Sequence, residues 1–281
     1  NKVDYEKLAE DIAFHLCVVT YKGVIYVYDR SGKFVEGELR VKKLINQILK
    51  EHATIHRTKE ILERLKVKTA VEEYPFNNHK NLIPVKNGVY DIETGELYPH
   101  SPLYGFTYIL PITFNPEADC PKIDAFFRQV VREEDVPLLY EIFGYCLYLG
   151  YPIHKAFMFV GEGRNGKSTT LRLLERFLGK ENVSNVPLQA LDSDKFAAAQ
   201  LTGKLANICA DLPPHPMRHT GIFKMLTGED SIHAQRKFKE PFSFQNHAKL
   251  IFSANKTPEV NDNTLAFWER WIILEFPNTF K

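Results

Sequence analysis

The 281-residue chain is poor in several features that mark specialised classes of protein. It has four cysteines and no CxxC pair, so we expect neither a zinc knuckle nor a thiol redox motif. No apolar run approaches the roughly 18 residues that a membrane-spanning helix needs. Internal repeats and low-complexity segments are also missing, which excludes collagen-like chains and coiled-coil rods. A hydrophobic fraction of 44% and a charged fraction of 25% are typical of a globular protein.

A strong excess of one charge is absent as well, because 36 Lys and Arg residues face 35 Asp and Glu residues. This balance argues against a protein that coats nucleic acid through bulk charge alone. The charge is nevertheless uneven: residues 1–155 carry 20 basic and 22 acidic side chains (net −2), and residues 156–281 carry 16 and 13 (net +3). A local basic site in the second part therefore stays open. Because the chain begins with Asn1 and shows no signal peptide, we expect a fragment of a longer intracellular protein.

Hydrophobic patterns predict a change of architecture along the chain. In the first part they predict helices at 4–16, 38–51 and 57–66, a strand at 24–29, a β-hairpin over 88–98 and further helices within 122–149. From about residue 156, short apolar runs alternate with helices, as do the buried parallel strands of an α/β sheet. These runs lie at 156–160, 205–210, 248–254 and 271–276.

The strongest motif is GEGRNGKS at 161–168, which fits the pattern G-x-x-x-x-G-K-[ST]. It follows a predicted strand and opens a predicted helix over 166–178, as a phosphate-binding loop does. Glycines let backbone N–H groups wrap phosphates, and the helix N-terminus adds partial positive charge. We expect Lys167 to reach the β and γ phosphates of ATP and Ser168 to bind Mg²⁺. The predicted nucleotide site is Gly161, Glu162, Gly163, Arg164, Asn165, Gly166, Lys167, Ser168 and Thr169.

Two further polar residues follow predicted strands. Asp211 ends the apolar run LANICAD and is the expected second ligand of Mg²⁺. Asn255 ends KLIFSAN, where an amide could orient the attacking water or contact the γ phosphate. A simple turn at the strand end is an equally good interpretation of Asn255. Consecutive strand ends form one crevice in open α/β sheets, which favours a shared site with Lys167.

A basic stretch lies between these two strands. Arg236, Lys237 and Lys239 place three cations around Phe238, a pattern that suits a phosphate backbone with base stacking. The alternation over 232–244 is typical of a hairpin. A solvated charged turn is the alternative for such a run taken alone.

Taken in order, GEGRNGKST, LANICADLP, TGIFKMLTGEDSIHAQRKFKEPFSF, LIFSAN and FWERWIILEFP resemble the superfamily 3 helicases of the phage and plasmid (viral) primase-helicase family. The resemblance covers about 156–280, and LIPVKNGVYDIETGELYPHSP is similar to the region that precedes the helicase core. It implies an α/β fold with an AAA+-like P-loop core and parallel sheet over 153–281. A mixed α/β domain over 1–120 and a helical collar over 121–152 would precede this core.

The resemblance also implies roles for individual residues. Lys167, Ser168 and Thr169 match the Walker A motif, Asp211 the Walker B acid, and Asn255 the sensor asparagine. Residues 224–239 match a segment whose basic hairpin grips single-stranded DNA in the central pore of a ring, usually a hexamer, with Arg236, Lys237 and Lys239 as candidates for the tip. Arg270 matches an arginine finger that reaches ATP in a neighbouring subunit. Lys224 and Arg218 are weaker candidates for contacts of this kind, and an ordinary surface cation is the alternative for all three.

The chain departs from the family pattern at one position. Ala210 and Leu212 flank Asp211, so the Glu that often activates water is missing there, and Asp211, Glu229 or Asp230 stay open as the base. No complete polymerase-type acid set is present, so any primase or polymerase domain would lie upstream. We expect an ATP-dependent helicase acting on single-stranded and forked DNA in the host cytoplasm, without a membrane. A DNA-loading ATPase, a P-loop kinase and a DNA-binding module with a vestigial ATPase remain alternatives.

Two other motifs are weaker. Asp91 and Glu93 in VYDIETG would fit a proofreading exonuclease, but no suitable His–Asp pair follows, and a hairpin is favoured. His52 and His56 lack the Glu of HExxH, so a zinc site is not expected.

Overall fold

A computed structural model describes residues 4–194, 196–210, 212, 220–237, 240–257 and 265–280. Three of the predicted site residues, Asp211, Arg218 and Lys239, lie outside the described residues. The chain forms two compact units, Asn1–Ile109 and Leu110–Lys281. No helix in the described part of the chain is long and apolar enough to cross a membrane.

The first unit combines three helices with two small sheets. One sheet has the strand order β3-β2-β1-β4 and the other β5-β6-β7. The elements are α1 (Tyr5–His15), β1 (Val19–Tyr21), β2 (Val24–Tyr28), β3 (Phe34–Glu36), α2 (Glu38–Leu49), α3 (Ile55–Lys68), β4 (Ala70–Val71), β5 (Leu82–Val85), β6 (Gly88–Asp91) and β7 (Leu97–Tyr98).

The helices of this unit begin where the sequence provides capping side chains. The Asp4 carboxylate accepts hydrogen bonds from the N–H groups of Glu6 and Lys7, and the Thr54 hydroxyl accepts one from Arg57. The apolar faces of the three helices then pack on alternate residues of β2, including Ile25 and Val27. The predicted helices and the strand at 24–29 are thus confirmed.

The predicted hairpin is also confirmed, since β6 and β7 pair antiparallel. The carboxylates of Asp91 and Glu93 both accept hydrogen bonds in or beside its turn. Asp91 Oδ1 accepts a hydrogen bond from the Glu93 N–H at 2.9 Å, and Glu93 Oε1 accepts one from Asn81 Nδ2 at 2.5 Å. Among the described residues no cluster of His, Cys, Asp and Glu could hold a metal ion. The hairpin interpretation of Asp91 and Glu93 is confirmed by the strand pairing and by the turn hydrogen bond.

The second unit is built around a five-stranded sheet with the order β14-β8-β13-β10-β9. All of its neighbouring strands pair in parallel. The elements are α4 (Pro121–Val130), α5 (Val136–Tyr145), β8 (Ala156–Val160), α6 (Lys167–Leu178), β9 (Val183–Ser184), α7 (Leu188–Ser193), β10 (Ala206–Cys209), α8 (Gly221–Thr227), β11 (Ser231–Ala234), β12 (Phe242–Gln245), β13 (Lys249–Ala254), α9 (Leu265–Trp268) and β14 (Trp271–Glu275).

The sheet explains the four apolar runs. All six residues of β13 are buried, because β13 lies inside a sheet with neighbours on both sides. The runs at 156–160, 205–210, 248–254 and 271–276 become β8, β10, β13 and β14. This arrangement confirms the α/β class with a parallel sheet that is expected of a P-loop core. The two-residue strand β9 carries no pattern long enough to predict.

The remaining two strands form a separate antiparallel pair. β11 and β12 pair from Ser231 with Gln245 to Ala234 with Phe242. Together with the connecting residues 235–241 they are called the basic hairpin below. The hairpin that the alternation over 232–244 predicts is confirmed.

Candidate active site

The phosphate-binding motif folds as a tight loop between β8 and α6. A Cβ atom on Gly161 would lie 2.5 Å from the Phe276 carbonyl oxygen, and one on Gly166 would lie 2.4 Å from Val130 Cγ1. Gly166 also has a φ of +92°, which side chains rarely adopt. Glycine is therefore required at these two positions by close approach as well as by backbone conformation.

Lys167 points its ammonium group back into this loop. The residue is only 4% exposed. Its Nζ donates to the carbonyl oxygens of Gly161 and Glu162, the second at 3.2 Å, and to Asn165 Oδ1 at 3.0 Å. A buried cation surrounded by loop backbone at a helix N-terminus suits a phosphate group, because charge and N–H donors converge there. Ser168 and Thr169 are exposed beside it at the start of α6.

The segment after β14 braces the loop from the other side. The N–H of Phe276 donates to Val160 O at 2.8 Å, and the N–H of Phe280 donates to Arg164 O at 2.7 Å. Asn165 Nδ2 donates to Phe276 O at 3.3 Å. A cavity of about 280 Å³ adjoins this contact and is lined by Val160, Gly161, Glu162, Glu275, Phe276, Pro277 and Thr279. The motif FWERWIILEFP includes Phe276 and Pro277 but does not indicate a contact with the loop, so the sequence does not predict this brace.

The helical segment 121–152 packs directly on the loop and its helix. Val130 of α4 fills the space in front of Gly166. Phe143 of α5 and Phe177 of α6 have ring centres 5.7 Å apart. The Arg132 guanidinium pairs with the Glu275 carboxylate at the end of β14. These helices are therefore part of the same compact unit as the phosphate loop.

Asn255 lies beside the beginning of the loop. It directly follows Ala254, which pairs with Val160 in the sheet, and the Gly161 N–H donates to Ala254 O at 3.3 Å. The expected neighbourhood of Asn255 and the loop is thus present. On the next strand, the Leu212 N–H donates to Ser253 O at 2.9 Å. Leu212, which follows β10, therefore lies at the same edge of the sheet.

Glu229 lies at the opposite edge of the sheet. Its Oε1 accepts a hydrogen bond at 2.8 Å from the N–H of Tyr151, which precedes β8, whereas the loop follows β8. A strand of five residues separates the two edges by about 13 Å. The structure does not bring Glu229 to Lys167 of the same chain, so Glu229 is poorly placed as its water-activating base.

Arg270 also lies far from the loop of its own chain. It precedes Trp271, which pairs with Ala156 at the amino end of β8. Its Nη1 donates to Ala266 O at 2.5 Å, and its Nε is buried without a hydrogen-bond partner among the described residues. Lys224, another candidate for contacts with a neighbour, is half-buried on α8.

The basic hairpin presents its cations next to aromatic rings. Arg236 Cζ lies 5.4 Å from the ring centre of Phe242, and Lys237 Nζ lies 5.8 Å from that of Phe196. Both cations are exposed, while Ile232 and Ala234 face the core. The hairpin therefore has an apolar inner face and a polar outer one, with its described cations at the tip.

Comparisons with known proteins agree with this architecture. Residues 7–132 match the family described as "D5 N terminal like", and residues 159–270 match a family of unknown function, DUF5906. A solved structure, the A form apo structure of the NrS-1 C terminal region, has a TM-score of 0.64 at 14% identity. That match covers 100% of this chain and 63% of the other. At this identity the likeness shows the fold alone.

Curated viral proteins are similar in sequence. "Putative helicase 184R" of Invertebrate iridescent virus 6 is 26% identical over 73% of this chain and 23% of its own length. "Putative helicase L207/L206" of Acanthamoeba polyphaga mimivirus is 24% identical over 73% and 22%. "Putative primase C962R" of African swine fever virus (strain Badajoz 1971 Vero-adapted) is 23% identical over 94% and 28%. The chain spans about a quarter of the length of these relatives.

Proposed function

We propose, from the premise that the chain belongs to the viral superfamily 3-like primase-helicase family, that it is the ATP-hydrolysing motor of a replicative DNA helicase. The observation that carries the proposal is the phosphate loop with its buried Lys167 and with Asn255 beside Gly161 at the same sheet edge. Polar groups that converge at this edge of a parallel sheet form the usual ligand crevice of α/β folds.

In this proposal Lys167 and the loop amides of 161–169 hold the phosphates of ATP, and Ser168 with Asp211 holds Mg²⁺. The fit rests on the buried Lys167 ammonium group and on the loop backbone around it at the N-terminus of α6. The metal ion would supply charge neutralisation at the phosphates. Asn255 would position water or the terminal phosphate from the neighbouring strand.

The basic hairpin would contact single-stranded DNA. Arg236 and Lys237 are exposed next to aromatic rings, and Lys239 follows them in sequence. Cations interleaved with aromatic side chains track a nucleic-acid backbone and stack with bases without strong sequence preference. In this proposal, ATP hydrolysis drives the movement of these hairpins along a DNA strand.

A ring, with a hexamer as the expected size, would complete each site. Arg270 is too far from its own loop and suits a contact with the nucleotide of a neighbouring subunit. Lys224 and Arg218 are proposed as further contacts of this kind. The same proposal divides the chain into an N-terminal domain (1–120), a helical collar (121–152) and an ATPase core (153–281). It also includes an upstream primase or polymerase domain and a location in the host cytoplasm.

Strand separation of a forked DNA duplex tests the proposal. Wild-type chain with ATP is expected to release the labelled strand, and Lys167→Ala is expected to reduce the rate by about 100-fold or more, since one lost charge contact to a transition state costs on that order. Lys180→Ala, which removes an exposed lysine after α6, is the matched control.

ATP turnover stimulated by DNA without strand release would favour a loading or remodelling ATPase. Phosphoryl transfer to a small acceptor, unaffected by DNA, would favour a kinase, and unwinding that survives Lys167→Ala would refute the assigned site.

A further inference from the structure

A further buried lysine lies at the edge of the sheet opposite to the phosphate loop. Lys249, the first residue of β13, has 0% exposure. Its Nζ donates to the carbonyl oxygens of Tyr148 at 2.7 Å and His247 at 2.9 Å. It also lies 4.5 and 5.1 Å from the ring centres of Tyr145 and Tyr151. A fully desolvated ammonium group is costly unless it is paired, so these contacts hold the segment 145–151 against the start of β13.

Glu229 ties the basic hairpin to the same segment. Its carboxylate accepts the Tyr151 N–H at 2.8 Å, and its carbonyl oxygen accepts Gln245 Nε2 at 2.8 Å. Glu229 precedes β11 and Gln245 ends β12, so both bonds lie at the base of the hairpin. Glu229 has a φ of +61°, which a glutamate adopts only at an energetic cost. Its side chain thus serves a purpose that a glycine, the residue suited to this backbone, could not serve.

A single strand links this base to the nucleotide edge. Tyr151 Oη accepts the Leu250 N–H at 2.7 Å, next to Lys249 at the start of β13. The strand then runs through buried residues to Ala254, whose carbonyl accepts the Gly161 N–H of the phosphate loop. Close packing on both sides lets a displacement at one end of such a strand reach the other.

We infer that Glu229 and Lys249 are positioning residues, which fix the basic hairpin to β13 so that contact of the hairpin with single-stranded DNA changes the Asn255 end of the nucleotide site. The inference rests on the proposed function and deepens it, because it assigns the route by which DNA stimulates ATP turnover. Neither residue touches nucleotide or DNA in this assignment.

Steady-state ATP turnover with and without an oligothymidylate strand tests the inference on four chains: wild type, Glu229→Gly, Lys249→Met and Glu229→Gln. Glu229→Gly suits the left-handed backbone but removes the carboxylate, and Lys249→Met keeps the apolar stem. In both variants the stimulation of turnover by DNA is expected to be at least about fivefold weaker than in wild type, which is the lower range of measured couplings between sites. Their turnover without DNA is expected to stay within about twofold of wild type. Glu229→Gln keeps an acceptor for Tyr151 and is expected to stay near wild type.

Oligonucleotide affinity, measured by fluorescence anisotropy, separates positioning from binding. It is expected to stay within about threefold of wild type in all four chains, because the tip of the hairpin is unchanged. Full DNA stimulation in Glu229→Gly would overturn the inference. Parallel loss of DNA-free and DNA-stimulated turnover would do the same, since it indicates a merely structural role. A wild-type chain whose turnover ignores DNA would instead refute the proposed function, and the inference with it.

Discussion

At the scale of single residues, Lys167 and Lys249, two buried lysines of the second unit, differ in how far the sequence predicts their positions. Lys167 belongs to a motif of fixed spacing, so its position in the phosphate loop is predictable. Lys249 follows His247 and Ala248 in an apolar run and carries no motif. Its burial depends on Tyr145 and Tyr151, about 100 residues earlier in the chain, and only the fold brings them together.

The pH dependence of stability tests the burial of Lys249. Burial lowers the pKa of its ammonium group to about 8, whereas the group titrates near ~10.4 in an unfolded chain. Between these values the unfolded chain binds the proton and the folded chain does not, so stability rises with pH. The free energy of unfolding of wild type minus that of Lys249→Met is expected to rise by up to about 1.4 kcal/mol per pH unit from pH 8 to 10.

Urea denaturation at several pH values measures this difference. Comparison with Lys249→Met cancels the groups that titrate in the same range without interacting with Lys249. A difference that is flat or falls between pH 8 and 10 would show that Lys249 is not desolvated in the folded chain.

At the scale of secondary-structure elements, helix α4 and the phosphate loop depend on each other. A Cβ atom on Gly166 would overlap with Val130, and the φ of +92° adds strain. Gly166→Ala is expected to lower the free energy of unfolding by about 1–3 kcal/mol, and Val130→Ala in the same chain is expected to recover part of that loss. Gly163→Ala is the control, because its Cβ would meet nothing within 4 Å. Equal effects at Gly163 and Gly166 in urea denaturation would contradict the packing of α4 on the loop.

The basic hairpin gives a second prediction at this scale. Arg236→Ala with Lys237→Ala is expected to weaken binding of single-stranded DNA and to reduce the salt dependence. Each lost phosphate contact removes about 0.7 from the slope of log affinity against log salt concentration, so the pair removes about 1.4. Anisotropy titrations between low and moderate salt measure both quantities, with Lys180→Ala as the control. An unchanged slope would place the DNA contact elsewhere.

Elements with a continuous or periodic apolar pattern are those that the sequence predicts. Strands β8, β10, β13 and β14 and helices α1 to α6 follow such patterns. The strands β1, β3, β4, β5 and β9 are not predicted. Each has two to four residues, and a strand of that length is predicted only where its surroundings help, as the turn at 93–95 does for β6 and β7. The brace at 276–280 is unpredictable for another reason: the Phe276 and Phe280 N–H groups donate to the carbonyl oxygens of Val160 and Arg164, and such backbone groups are present in any sequence.

At the scale of the whole molecule, Arg270 tests whether sites are shared between chains. It lies at the amino end of β14 and cannot reach its own loop at the carboxyl end of β8. In a ring, Arg270→Ala subunits would disable the sites of wild-type neighbours. Mixed assemblies are therefore expected to lose ATP turnover faster than the wild-type fraction falls, measured over a series of mixing ratios. Activity in strict proportion to the wild-type fraction would contradict a finger that acts on a neighbour.

The family resemblance, taken from the order of five motifs, is confirmed, and so is the parallel-sheet fold. The near-neutral net charge of +1 is compatible with DNA contact, since three of the 16 cations of the second part, Arg236, Lys237 and Lys239, cluster within four positions. Several such hairpins in one assembly would focus positive potential in a common channel.

The central claim is that DNA bound at the basic hairpin stimulates ATP hydrolysis at the phosphate loop, and ATP turnover with and without single-stranded DNA tests it most directly. Wild type is expected to hydrolyse ATP and to be stimulated by DNA about tenfold, equivalent to about 1.4 kcal/mol of coupling. Lys167→Ala is expected to be inactive in both conditions, and the Arg236→Ala, Lys237→Ala pair is expected to keep only the DNA-free rate. Turnover in wild type that is identical with and without DNA would contradict the account.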